Sequence, residues 1–163
     1  MNTKFAIWVS AFLALALVNA DIWRKERILS SGQSVILMLA PIDPRSLIQG
    51  DYMRLRYALE NDVRDRLGRG ATRHGCLRLT LDARRVASLN AVDEDCVQAM
   101  ATGEVRMEYR LRAGNLDLAG NSWFFEEGQA DRYSRTRYGE FRVGEDGTAL
   151  LSGLRDKDLR PLP

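Results

Sequence analysis

The feature that most constrains this chain lies at its start. Residues 5–18 (FAIWVSAFLALALV) are apolar except for Ser10, and they follow Lys4. Nothing later in the sequence repeats that density. A helix of this composition has no polar stripe, so it is not the amphipathic element of a soluble core. Two readings fit it. As a signal peptide, Lys4 is the charged leader, residues 5–18 the apolar region, and Val18-Asn19-Ala20 a small-residue cleavage site. As an uncleaved anchor, the helix runs on to Trp23 and spans ~28 Å at ~1.5 Å per residue, against a hydrocarbon core of ~30 Å. Asn19 and Asp21 then fall in the interfacial zone, where a polar group costs far less than at the midplane. Trp23 with Arg24, Lys25 and Arg27 forms an aromatic and cationic flank.

The expectation is therefore a membrane anchor or signal segment over residues 1–23, with the lipid bilayer as its first partner. The two cues to orientation conflict. One lysine and the α-amine precede the helix, while Arg24, Lys25 and Arg27 follow it, which favours a cytoplasmic C-terminal domain. The signal-like layout favours export, and we expect a domain on the extracytoplasmic (periplasmic) side of the cytoplasmic membrane.

Residues 24–32 read as a charged flank ending in a Ser30-Ser31-Gly32 hinge, and residues 33–163 as a single domain. A domain of that size buries about 65–70% of the surface its unfolded chain exposes. Of the 163 residues, 24 are Lys or Arg and 22 Asp or Glu, so no basic surplus points to nucleic acid. One His and two Cys exclude a His-rich metal cage and a disulfide-dense scaffold.

Beyond Gln33 the pattern is mostly period two. Residues 35–40 (VILMLA) form a continuous apolar run, stopped by Pro41, that reads as a strand covered on both faces. Met53, Leu55, Tyr57 and Leu59 share a face opposite Arg54 and Arg56. Leu77, Leu79 and Leu81 alternate with Arg78, Thr80 and Asp82, and Val105, Met107, Tyr109 and Leu111 alternate with charged residues. Such alternation is that of antiparallel strands with one wet face. Residues 104–118 and 141–151 read as hairpins around Gly114 and Gly147, and residues 82–100 as a strand followed by a turn. The polar stretch 126–137 lacks alternation and places Ala130, Tyr133 and Arg137 on one helical face. The predicted fold is mainly β (α+β): an antiparallel sandwich or barrel-like domain of seven or eight strands with one surface helix, preceded by the N-terminal transmembrane or signal-anchor helix.

The most distinctive stretch is Gly50-Asp51-Tyr52-x-x-Leu55-x-Tyr57. It resembles the motif of the bacterial GDYXXLXY domain family. Trp123-Phe124-Phe125-Glu126-Glu127-Gly128, and later Tyr138-Gly139-Glu140-Phe141-Arg142-Val143, are similar to that family's second half. The resemblance implies a small membrane-anchored protein that works beside a multi-spanning membrane protein. It carries over no catalytic residue and no cofactor.

Read as chemistry, Gly50 permits a tight turn and Asp51 can accept loop N–H bonds, so turn geometry alone accounts for the motif. A functional alternative gathers a carboxylate, a guanidinium and phenols from Asp51, Arg45, Tyr52 and Tyr57 into a binding surface. Glu127, Tyr133, Arg137 and Tyr138 form a second candidate surface. Glu126 and Glu127 are adjacent and do not face each other, which disfavours an acid–base pair. His74 near Cys76 lacks the further ligands zinc needs. Cys76 and Cys96 are either two free thiols or, in an exported domain, a disulfide. A hydrolase would have to use Ser46 or His74, with no supporting nucleophile motif. The function expected is a non-catalytic accessory domain, with an extracytoplasmic ligand-binding domain as the alternative.

Overall fold

The computed structural model describes residues 3–40, 52–67, 73–112, 115–118, 121–126 and 128–162. The apolar run lies within one long helix, α1 (Thr3–Ser31). Every described side chain before Ile28 is exposed, Trp8 and Phe12 to 75%. The helix is long and apolar enough to cross a membrane. Its two mid-helix polar side chains turn back onto their own backbone: Ser10 Oγ donates to the Ile7 carbonyl (2.9 Å) and Asn19 Nδ2 to that of Leu15 (2.8 Å). Each thus places one donor without water.

Among the described residues ten strands follow, all paired antiparallel. β1 (Gln33–Met38), β8 (Tyr138–Val143), β9 (Ala149–Arg155) and β10 (Pro161–Leu162) form one sheet in that order. A second sheet runs β4 (Ala87–Asp93), β3 (His74–Leu81), β5 (Glu104–Arg112), β6 (Asn115–Asp117). β2 (Tyr52–Arg54) pairs with β7 (Ser122–Phe124). A parallel bridge from Ile36 to Val86, with the Ile36 amide donating to the Arg85 carbonyl (2.9 Å), links the two larger sheets into a half-barrel.

The alternating residues fill its inside. Val35 and Leu37 of β1, Leu77 and Leu79 of β3, Val105, Met107 and Tyr109 of β5, and Phe141 and Val143 of β8 are all buried. The face opposite this core is polar and cross-linked. Arg78 holds Asp93 through two bonds (3.0 and 3.2 Å), and Glu140 accepts from Ser34 (3.0 Å) and from Arg155 (2.9 Å). The mainly antiparallel β architecture and both expected hairpins are present. In β1 only the centre is covered on both faces, because Ile36 lies against the bridge to Val86 while Met38 beyond it is half exposed.

Three local expectations are corrected. The stretch 126–137 is not one helix: Gly128 adopts a left-handed conformation (φ 84°), and only α3 (Ala130–Tyr133) is helical. Tyr133 then turns into the core, which a solvated surface helix would not allow. A further helix, α2 (Glu60–Leu67), had no counterpart in the sequence pattern. It carries Glu60 and Asp62 in its first turn and Arg64 and Arg66 in its last, the arrangement that the helix dipole favours. Buried Glu60 takes bonds or ion pairs from Arg64 (3.1 Å), Arg56 (3.7 Å) and the Leu116 amide (3.5 Å).

The third concerns Ser30-Ser31-Gly32, where helix continues through both serines. Ile28 is buried, and the Gly32 amide closes the helix on the Ile28 carbonyl (2.8 Å). A Cβ on Gly32 would stand 2.4 Å from that carbonyl oxygen and 3.1 Å from that of Val143. The chain passes from helix to β1 by a close-packed glycine exit.

Phe141 is fully buried, its ring 5.7 Å from that of Tyr57. Phe141→Ala should cost about 3–5 kcal/mol of unfolding free energy, readable by denaturant titration of the detergent-solubilised chain.

Candidate functional site

Of the residues expected to form a binding surface, Arg45, Asp51 and Glu127 lie outside the described residues, as does the side chain of Tyr52. The backbone of Tyr52 opens β2 opposite Phe124. The others are split by burial. Tyr57 is 2% exposed and Tyr133 8%, so both belong to the core. Tyr57 stacks obliquely on Phe141, and Tyr133 lies against Phe125 (5.0 Å between centroids) and Trp123 (6.5 Å). Burial pushes the Tyr57 phenol well above its ordinary range, and nearby Asp117 adds to the shift. Arg137 is exposed, its guanidinium donating to the Thr136 carbonyl (2.8 Å), and Tyr138 is half buried at the start of β8.

The described parts of the two segments adjoin through the backbone. Leu39 is bridged to Tyr57, and its amide donates to the Arg137 carbonyl (2.9 Å). Trp123 sits on the strand paired with β2 and reaches Tyr133. What they share is a wall of the core, with the phenols of Tyr57 and Tyr133 removed from solvent. In this region Trp123 Nε1 and Thr136 Oγ1 are buried and have no hydrogen-bond partner among the described residues.

Residues 14–154 match the GDYXXLXY protein family. The chain belongs to that family. Its match begins inside the apolar run and ends in β9, so the family's shared region contains the second half of α1 as well as the sheets. No curated protein and no solved structure matches the chain. In this GDYXXLXY protein the described part of the motif is architectural: Met53, Leu55 and Tyr57 are all core residues.

The reactive side chains considered from the sequence are also placed. Cys76 and Cys96 are joined in a disulfide (Cα–Cα 5.3 Å) that ties the chain after β4 to β3. Closing a loop of that length contributes about 3 kcal/mol on the chain-entropy account. Cys76 is therefore engaged and does not offer a thiolate beside His74. His74 is exposed at the start of β3, in a cleft it shares with Arg73, Cys96, Glu108, Arg110 and Arg112. Ser46 lies outside the described residues.

The structure adds a site that no motif announced, where α1 meets the turn between β8 and β9. Arg24 forms an ion pair with Asp146, 122 positions away, and Ile28 lies beneath that turn. A Cβ on Gly144 would come within 3.3 Å of Ile28 Cγ1. Partial burial disfavours the Asp146 charge, but the Arg24 guanidinium and the Thr148 amide outweigh it and hold its carboxyl below the ordinary value. Beside the contact lies a cleft of about 530 Å³, lined among others by Arg27, Ser31, Gln33 and Glu145. Helical spacing alone brings Arg24, Arg27, Ile28 and Ser31 onto one face. Pairing that face with the turn is a tertiary event with no local signal.

The buried phenol sets a pH dependence. Tyr57 binds its proton more tightly folded than unfolded, so its contribution is complete below pH 10.0, the ordinary phenol value, and is lost as pH rises above it. In a spectrophotometric titration at least one of the five tyrosines should ionise only as the protein unfolds.

Proposed function

We propose that this protein is a non-catalytic accessory domain, held at the cytoplasmic membrane by α1 and working with a multi-spanning membrane protein. The observation that carries this is α1 itself: an apolar helix that, before Ile28, is covered by none of the other described residues and is joined at its far end to the sheet domain. Exposed Phe, Trp, Leu and Val side chains at that density are costly in water, and a bilayer removes the cost at ~25 cal/mol per Å² of apolar surface. The flank suits the boundary. Trp23 carries Arg27 over its ring (5.7 Å), and Lys25 pairs with Asp21 (2.8 Å). The multi-spanning partner rests on the family resemblance, and α1 offers lipid-facing residues such as Phe12 and Leu15 against which its helices can pack.

The disulfide supports an extracytoplasmic domain, since such bonds persist in oxidising compartments. In this reading it outweighs the contrary count of Arg24, Lys25 and Arg27 after the helix. The core positions of Tyr57 and Tyr133 turn these two tyrosines toward stability and away from chemistry.

A second reading, an extracytoplasmic ligand-binding domain, draws on Trp123 Nε1 and Thr136 Oγ1, two buried polar groups that a small polar ligand would satisfy. The hydrolase reading has only His74 among arginines, and Ser46, to support it.

Cell fractionation with a C-terminal topology reporter tests the main reading. The expected result is a full-length product in the membrane fraction, resistant to alkaline extraction, with the reporter active outside the cytoplasm. A stoichiometric membrane protein should co-purify in mild detergent, and Ser46→Ala with His74→Ala should leave the cellular phenotype unchanged. A full-length product in the soluble fraction contradicts the reading.

A further inference from the structure

The contact between α1 and the β8–β9 turn fixes a height. The anchor segment ends at Trp23, and Arg24 is the first residue beyond it. The Arg24–Asp146 ion pair therefore brings the tip of the β8–β9 turn down into the interfacial zone that begins around Asn19 and Asp21. From Arg24 to Ser31 the helix rises only ~10 Å, against a headgroup layer of roughly 5–8 Å per leaflet. The cleft beside this contact thus opens at the depth of lipid phosphates. This placement rests on the proposed anchoring by α1.

The charges in the cleft are specific. Arg24 and Asp146 are spent on each other. Arg27 and Glu145 remain, both exposed and without an ion pair among the described residues, one cationic and one anionic. Arg27 is steadied over the Trp23 ring rather than consumed by a carboxylate. Ser31 and Gln33 supply neutral polar groups to the same cleft. Below it, the helix continues into exposed Leu13 and Leu17, which offer a track for an acyl chain.

We propose that this cleft seats the headgroup of a zwitterionic aminophospholipid, its phosphate on Arg27 and its primary ammonium on Glu145. A guanidinium matches the phosphate oxygens, and a carboxylate takes hydrogen bonds from a primary ammonium that a trimethylammonium cannot donate. A purely anionic headgroup is the poorer fit, since it leaves the Glu145 carboxylate without a cation and repelled by the added negative charge. The seated lipid closes the space between helix and sheet and braces the domain at a fixed angle to the bilayer.

The test uses the full chain in nanodiscs of equal parts phosphatidylethanolamine, phosphatidylcholine and phosphatidylglycerol, followed by gentle detergent extraction and native mass spectrometry of retained lipid. The wild-type chain should retain phosphatidylethanolamine about fivefold over either competitor, the factor expected for one favourable charge contact at the surface. Glu145→Gln should abolish the preference over phosphatidylcholine while phosphate-dependent retention persists. Arg27→Gln should lose retention, and Arg27→Lys should restore part of it. Equal retention of the three lipids by the wild-type chain, a preference for phosphatidylglycerol, or variants that behave as wild type overturns the proposal. If the chain inserts into the nanodiscs and shows any of these, the headgroup site alone fails. If it does not insert, the anchoring on which the site rests fails with it.

Discussion

Ile28, seated beneath the Gly144 turn and followed at once by the tight exit at Gly32, is the contact on which the relation between helix and sheet depends. A free linker would let a domain of this size tumble above its tether. Here the last turns of α1 are part of the domain's own packing, and the chain enters β1 with no residue to spare. β1 is central in its consequences: it pairs with β8 along its whole length and is bridged to Val86, so the helix's direction is passed to both larger sheets. Arg24 and Asp146 secure the outer side of the same junction. An exposed ion pair is worth little by itself, and it is the apolar seat that gives it a fixed geometry.

Legibility in the sequence depended on where water is. Strands with one wet face must alternate, so β3, β5 and the run from Met53 to Leu59 could be read directly, and glycine turns marked the hairpins. The motif that identifies the family was equally plain, but not its purpose: Leu55 and Tyr57 are spaced to reach the core, as alternation alone requires. Tyr133 was misjudged because its neighbours are polar, and only tertiary packing against Phe125 and Trp123 explains its burial. α2 leaves little trace in the sequence because a helix of two turns with a single buried apolar residue, Val63, has almost no periodic signal. The junction was invisible for a different reason, since no local pattern links positions 24 and 146.

The disulfide and the helix bear on the same question of location. Cys76 is buried within β3, so its bond to Cys96 fastens the connection after β4 over the outer face of that sheet. A bond of this kind is durable where thiols are not kept reduced, and an exposed apolar helix is costly in water. The proposed placement, a membrane protein whose folded part faces an oxidising space, draws on both. With Tyr57 and Tyr133 turned inward, the outward-facing chemistry of the described residues concentrates at the cleft under the β8–β9 turn and at the arginine-lined cleft around His74.

The central claim is that α1 and the sheet domain form one rigid body at the bilayer. Electron–electron spin resonance between labels at Glu26 and Lys157, introduced as unnatural amino acids so that both cysteines stay paired, measures it most directly in nanodiscs. A single narrow distance distribution is the predicted result. A broad distribution, as expected of a domain swinging on a flexible tether, would contradict the account.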